Sequence, residues 1–341
     1  MGNRGVRQQP LAGNGRNMTD RYARQMVLPE IGAAGQARLA AATVLVAGAG
    51  GLGCPVLQYL CAAGAGRLLI VDHDRVDESN LHRQPLFRMS DLGEPKARAA
   101  AAAMRLLNPL VTAEAAVERL TPANAAAWVS RADAIVDAAD SLALTYILSD
   151  ECLRQGKPLV SASVLGLSGY AGAFCGGAPS YRAVFPEMPR QAGSCAQSGV
   201  LGTAVGVMGT LQAHLTLALL LKLAPTVLGQ LVSVDFRTLR FSGFSFAAAP
   251  EPAEPPLRFI APEDVRATDV VVDLRSLTEA PVSPFPGALR VAVEEVEREG
   301  LPAASTARVV LCCRSGIRAW RAAQALRQAG RPDLALIALG D

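Results

Sequence analysis

No regular ladder of cysteines runs through this chain. The seven, at positions 54, 61, 152, 175, 195, 312 and 313, share no common spacing, which argues against a disulfide scaffold and suits reduced thiols in the cytoplasm. Nor is there a continuous basic face. Net charge is only +3 and the basic residues are scattered, several within the first seventeen positions, which argues against a nucleic-acid partner. Residues 1–17 lack the apolar core of a secretion signal and read as a polar, mobile tail. An uninterrupted apolar run of membrane-spanning length is also missing. Residues 199–223 come nearest, but Gln212, His214 and several threonines and glycines break the run, so it predicts a buried or subunit-interface helix and no membrane partner. What remains is a 341-residue chain, half of it apolar and 18% charged, able to bury a full core and long enough for two domains.

Order is expected from Met18, with short helices over 20–28 and 32–42. From Thr43 onward apolar strands and helices alternate: strands at 43–47, 67–71, 111–117, 134–137 and 158–162, helices at 55–63, 96–108, 121–129 and 142–155. Such alternation predicts a doubly wound, Rossmann-like parallel sheet with helices on both faces. A glycine-rich pair of strands to Phe174, an irregular stretch over 176–198, the long apolar helix and a strand at 231–235 follow. At Phe246 the composition turns abruptly to Ala, Pro and Glu, which predicts a semi-extended linker over 247–257. The expected domains are therefore 18–246 and a small α/β unit at 258–341, with strands at 270–273 and 309–312 and a helix at 318–329.

Two stretches carry chemistry. The first strand empties into Gly48, Gly50, Gly51 and Gly53, where a ligand must approach the backbone closely. The second strand ends at Asp72, about twenty residues beyond the last glycine, where a carboxylate can take a ribose hydroxyl while phosphates sit at the helix N-terminus. Alone, this pattern also fits a plain structural turn. The residues that follow distinguish the two: Asp72-His73-Asp74, then Asn80-Leu81-His82-Arg83-Gln84, then Gly93-Glu94-Pro95-Lys96. A dinucleotide oxidoreductase has no use for an Asn, an Arg and a Lys there, whereas a triphosphate needs cations and donors. Asp137-Ala138-Ala139-Asp140 ends a later strand on the same ligand-binding edge.

The second stretch is Cys313-Arg314-Ser315-Gly316-Ile317-Arg318, between a buried strand and a helix. Backbone N–H groups and the helix dipole favour a thiolate at Cys313, and Arg314 and Arg318 would hold an anionic sulfur donor around the Gly316 turn. Cys312 points to the other side of the strand, into the core.

With Val271-Val272-Asp273-Leu274-Arg275 and Phe285-Pro286-Gly287-Ala288 upstream, that loop resembles a rhodanese domain, in which the loop cysteine carries a persulfide supplied by a persulfide or thiosulfate donor. Residues 18–246 resemble the ubiquitin-activating-like adenylyltransferases of molybdopterin and thiamine biosynthesis. That resemblance rests on the stretches quoted above together with Arg21-Tyr22-Ala23-Arg24-Gln25 and Ser194-Cys195-Ala196-Gln197-Ser198-Gly199-Val200. It implies ATP and Mg²⁺ as cofactors: Asp72 on the ribose, Asp74 and Gln84 beside the nucleotide, Asn80, Arg83 and Lys96 on the phosphates, and Asp140 on the metal. It also implies a homodimer, with Arg24 reaching the neighbouring subunit's triphosphate. Cys195 is expected either to be a second reactive thiol or to be an inert loop cysteine.

Three departures from that family stand out. The usual two Cys-x-x-Cys pairs for structural zinc are absent, the first reading Ser180-Tyr181-Arg182-Ala183 and the second missing from 241–256, so no structural zinc is expected. Ser141 follows Asp140 where the family has Asn. Thr145 and Ser149 stand where it has Arg and Asn, and the lost cation is expected either to weaken ATP binding or to mark a specialised paralogue. The combined expectation is adenylylation of the C-terminal carboxylate of a small ubiquitin-like sulfur carrier ending in Gly-Gly, followed by sulfur transfer from Cys313 to give a thiocarboxylate. Two alternatives stay open: an adenylation-incompetent docking scaffold with only sulfurtransferase activity, and ATP-dependent activation of a tRNA or peptide.

Overall fold

A computed structural model describes residues 18–190, 199–301 and 307–340. Two short helices, α1 (Met18–Met26) and α2 (Gly32–Ala41), lead into an eight-stranded sheet. Its parallel part comprises β1 (Thr43–Ala47), β2 (Arg67–Val71), β3 (Thr112–Ala116), β4 (Ala134–Asp137) and β5 (Pro158–Leu165). The antiparallel part adds β6 (Ser168–Cys175), β7 (Gln230–Asp235) and β8 (Arg240–Ser245), in the order β3-β2-β1-β4-β5-β6-β7-β8. β5 runs three residues beyond its expected end because it pairs with β6 along its whole length. The chain leaves β1 toward β2 on one side and takes up β4 on the other, so a crevice opens at the carboxyl ends of these strands.

The near-continuous apolar character of β1 is explained by its two covered faces. Val44 and Val46 pack toward α3 (Gly53–Ala63), α4 (Lys96–Leu107) and α8 (Gly202–Leu221), while Leu45 and Ala47 pack toward α5 (Pro122–Ser130) and α6 (Leu142–Gln155). A short α7 (Tyr181–Val184) follows β6. By length and composition α8 could cross a membrane; in this structure Ala204, Val205, Met208 and Gln212 are buried in the core. Gly209 permits its close approach to α3, since a methyl group there would lie 2.5 Å from the Pro55 ring.

The C-terminal unit is a second, all-parallel sheet in the order β11-β10-β12-β13-β9: β9 (Arg258–Phe259), β10 (Val270–Asp273), β11 (Leu289–Arg290), β12 (Val309–Cys313) and β13 (Leu334–Ala338). Helices α9 (Val293–Glu299) and α10 (Ile317–Gln328) pack with it. Of these elements, β9, β11, α9 and β13 have no counterpart in the sequence pattern; β9 and β11 are only two residues long, too short to show a period. Alternate residues of β12 divide between two cores: Val310 and Cys312 enter a small one within this unit, while Val309, Leu311 and Cys313 join the large core that also holds α6.

The connecting segment 247–257 is anchored along its length. Phe246 and Leu257, at its two ends, are buried. The Glu251 carboxylate between them accepts both the Ser180 N–H and the Ser180 hydroxyl at 2.6 Å, and the Leu257 carbonyl accepts from Arg182 at 3.1 Å. Composition alone gave no sign of this, because the anchoring groups lie about seventy residues upstream.

Candidate active site

The glycine loop is held from two sides. Gly48 has φ +98°, and a methyl group on it would lie 2.9 Å from the Ala138 carbonyl oxygen; one on Gly53 would overlap the Gly48 carbonyl. The loop therefore packs directly on the turn that carries Asp140, and Cβ atoms are excluded by contact as well as by conformation. From the other side, the Ala49 N–H donates to Asp72 Oδ2 and the Asp74 N–H to Oδ1, both at 2.7 Å. Burial pushes the Asp72 carboxyl up, opposed by these amides and by Lys96. Each carboxylate oxygen keeps a lone pair that a ribose hydroxyl can use.

The cationic residues gather on the same edge. Lys96 opens α4, is 5% exposed, and places Nζ 2.9 Å from Asp74 Oδ2. Burial works to raise the Asp74 carboxyl, but the Lys96 ammonium, with His73 and Arg119, outweighs it and leaves the group below its ordinary value. Asn80 Oδ1 accepts from Arg83 at 2.7 Å and from Gln84 Nε2 at 3.4 Å. Arg83 also donates to the Ser79 carbonyl at 3.2 Å, within its own turn. Gln84 is buried, its Nε2 3.7 Å from where a Gly50 methyl would stand, and its Oε1 has no protein partner among the described residues.

Asp140 is exposed at the tip of its turn and accepts no hydrogen bond among the described residues. What holds it is Asp137, which sequence inspection had placed only as a strand end. This fully buried carboxylate accepts the hydroxyls of Thr145 at 2.7 Å and Ser161 at 2.8 Å, while its backbone oxygen accepts from Gln212 at 2.6 Å. Burial pushes the Asp137 carboxyl up to about 6, against the pull of those hydroxyls. The same contacts show what Thr145 and Ser149 do in this chain. Both are buried in the scaffold: Thr145 serves Asp137, and Ser149 Oγ accepts the Tyr181 N–H at 3.0 Å. Neither position is a gap in the crevice. Ser141 caps α6 by accepting the Leu144 N–H at 3.4 Å.

Arg24 is exposed on α1. Its motif neighbours are the anchors: Tyr22 accepts from Asn108 at 2.8 Å, and Gln25 donates to Gln36 at 2.7 Å. Cys195 lies outside the described residues.

At the second site Cys313 is the last residue of β12 and fully buried. Its Sγ accepts the N–H groups of Gly316 at 3.2 Å and Ala319 at 3.4 Å, the convergent amides expected of the loop. Gly316 has φ +87°, and a methyl group there would sit 2.7 Å from the Phe259 ring and 3.2 Å from Ala143 on α6. Arg314 is exposed. Arg318, expected to hold a sulfur anion, sits beside the Cys313 thiol and also forms a two-pronged pair with Glu279, at 2.5 and 2.7 Å, and donates to the Leu274 carbonyl at 3.0 Å. Glu279 comes from the Pro-rich loop, whose approach was invisible in the sequence. Burial pushes the neighbouring Cys312 thiol up to about 12, consistent with packing alone.

An exposed carboxylate beside a glycine-rich loop at a helix N-terminus fits Mg²⁺, a hard cation that takes one or two carboxylates and completes its shell with phosphate oxygens and water. A four-sulfur zinc site does not fit, because Ser180 and Ala183 stand at one half and no cysteine at the other.

The chain is 39% identical over 331 residues to bovine (Bos taurus) adenylyltransferase and sulfurtransferase MOCS3, covering 85% of this chain and 72% of that protein. It is 44% identical to a sulfur carrier protein adenylyltransferase of Thermus thermophilus, over 63% of this chain and 83% of that one. Among solved structures, Escherichia coli MccB with ATP superposes with a TM-score of 0.58 at 19% identity, covering 68% and 72% of the two chains, a likeness of fold. The ThiF family profile matches residues 22–255, a span holding the glycine loop, Asp72, Lys96 and Asp140, and the chain belongs to the ThiF family.

Proposed function

We propose that this enzyme is an adenylyltransferase and sulfurtransferase that uses Mg-ATP to adenylylate the C-terminal carboxylate of a small ubiquitin-like sulfur carrier ending in Gly-Gly, and then delivers sulfur to it from a persulfide on Cys313. The observation that carries this is the meeting of the Asp72-tethered glycine loop, the buried Lys96 paired with an exposed Asp74, and the exposed Asp140 at one strand edge, in a chain whose second domain presents a cysteine under convergent amides.

The phosphates lie at the N-terminus of α3 with Asn80, Arg83 and Lys96 around them, Arg83 turning outward from Asn80 to do so. Asp140 would hold Mg²⁺, which would offset charge on the phosphates. A carboxylate oxygen of the carrier attacks the α-phosphorus and pyrophosphate leaves, giving an acyl-adenylate. The terminal sulfur of the Cys313 persulfide then attacks the acyl carbon and AMP leaves, joining carrier and Cys313 through an acyl disulfide. A second thiolate, for which Cys195 is the proposed group, attacks the Cys313 sulfur, releasing the thiocarboxylate and leaving a disulfide for an external thiol to reduce. Arg24 completes the site of a partner subunit in a homodimer.

ATP–pyrophosphate exchange with a Gly-Gly carrier tests the first half. Asp140→Ala is expected to lower it by about 100-fold or more, and absence of carrier-dependent exchange in the wild type overturns the adenylylation reading. Cys313→Ala is expected to keep exchange and abolish thiocarboxylate formation.

A further inference from the structure

The segment 247–257 and the residues at 180–183 have an arrangement that neither activity accounts for. Arg182 is 5% exposed. Its guanidinium grips Asp150 of α6 with two bonds of 2.6 and 2.8 Å and donates to the Leu257 carbonyl at 3.1 Å. It also stacks 4.7 Å over the Tyr146 ring of α6 and 5.4 Å over the Trp320 ring of α10. One buried cation thus joins the front domain, the connecting segment and the Cys313 domain. The two aromatic rings meet directly at 5.1 Å. The Ser180–Glu251 clasp adds a second pin partway along the connecting segment.

The position so fixed is consequential. Gly316 of the cysteine loop packs on Ala143, only three residues after Asp140. By chain reach alone, Cys313 and Asp140 lie within about 30 Å, a span that an extended carrier tail of about nine residues covers. A free tether would supply only a high effective concentration, whereas this junction supplies a fixed geometry.

Resting on the activity proposed above, we propose that Arg182 is a positioning residue for sulfur transfer: it fixes the Cys313 domain on α6, so that the carrier tail moves between two stationary centres and no domain swings. The cysteine loop opens locally when the tail arrives.

The test uses the full-length protein with spin labels introduced through unnatural amino acids at exposed Arg105 and Glu299, and reads the inter-domain distance by pulsed electron resonance. Wild type is expected to give one narrow distribution, and a broad one overturns the proposal. Arg182→Ala is expected to broaden it, to leave ATP–pyrophosphate exchange and thiosulfate-to-cyanide transfer within about two-fold, and to lower thiocarboxylate formation by about tenfold or more. Arg182→Lys, which keeps the charge without the fork, is expected to recover part of that loss. A narrow distribution in Arg182→Ala, or a broad one with undiminished thiocarboxylate, overturns the proposal. If Arg182→Ala fails to fold, Glu251→Ala, at an exposed position, takes its place with the same expected broadening. Loss of exchange in the wild type would sink the activity reading, while the distance distributions still judge the dock.

Discussion

Thr145 is the residue whose meaning changed most between sequence and structure. As a letter replacing an expected arginine it suggests a weakened nucleotide site, yet its hydroxyl is spent on the buried Asp137 carboxylate. Thr145→Val is therefore expected to cost about 1–3 kcal/mol of stability by leaving that carboxylate a donor short, measurable by urea unfolding. ATP affinity, followed by calorimetry, should change little, and a large loss of affinity with unchanged stability would contradict the assignment. Asp269 offers a residue-scale test of pH dependence. The Arg308 guanidinium, bound at 2.6 and 3.1 Å, holds its carboxyl below the ordinary value, helped by the Arg266 amide and opposed by burial. A depressed carboxyl contributes stability that is present above its unfolded pKa and lost as pH falls through the folded one. Asp269→Asn should thus cost about 3 kcal/mol near neutrality, since a mostly buried Arg308 loses its partner. The gap to wild type should close as pH drops below about 4.

At the scale of elements, the legible parts are those where local pattern and tertiary environment agree. Strand, glycine turn and helix announce themselves from Thr43 to Ala63 because both faces of β1 are buried and the glycines are demanded by contact. Gly53→Ala tests that demand. Its methyl would overlap the Gly48 carbonyl, so the loop must shift, and nucleotide-dependent thermal stabilisation should be lost even if the fold survives. That Asn80, Arg83 and Lys96 gather near the glycine loop was legible from their residue types and spacing. The role of Asp137 was not, since its importance comes from Ser161 and Gln212, far along the chain. The Glu279 partner of Arg318 escaped for a related reason, since it sits in a loop with no periodicity, whereas the place of Arg318 beside Cys313 was legible from the loop itself. β9 and β11 escaped because two residues carry no period.

For the whole molecule, the decisive feature is that one apolar core passes through α6 into the second sheet. Ala143, Tyr146 and Leu148 share it with Phe259, Leu311 and Trp320. Composition at 247–256 divides the chain into two domains, but burial does not, and the Arg182 junction lies inside the shared core. Separating the halves would expose aromatic surface on both and take the Trp320 ring and the Leu257 carbonyl away from Arg182, so partial unfolding at the junction is costly. Scanning calorimetry should show one transition for the full chain, with the calorimetric and van't Hoff enthalpies close to each other. Removing residues 258–341 should lower the melting temperature of what remains and expose dye-binding apolar surface. Because hydrogen bonds and an ion pair stand where a metal staple would, a chelator should not move the transition and elemental analysis should find no stoichiometric zinc. Two resolved transitions would mean that the core does not couple the halves, and a chelator-sensitive one would mean that a metal contributes to the stability of the fold.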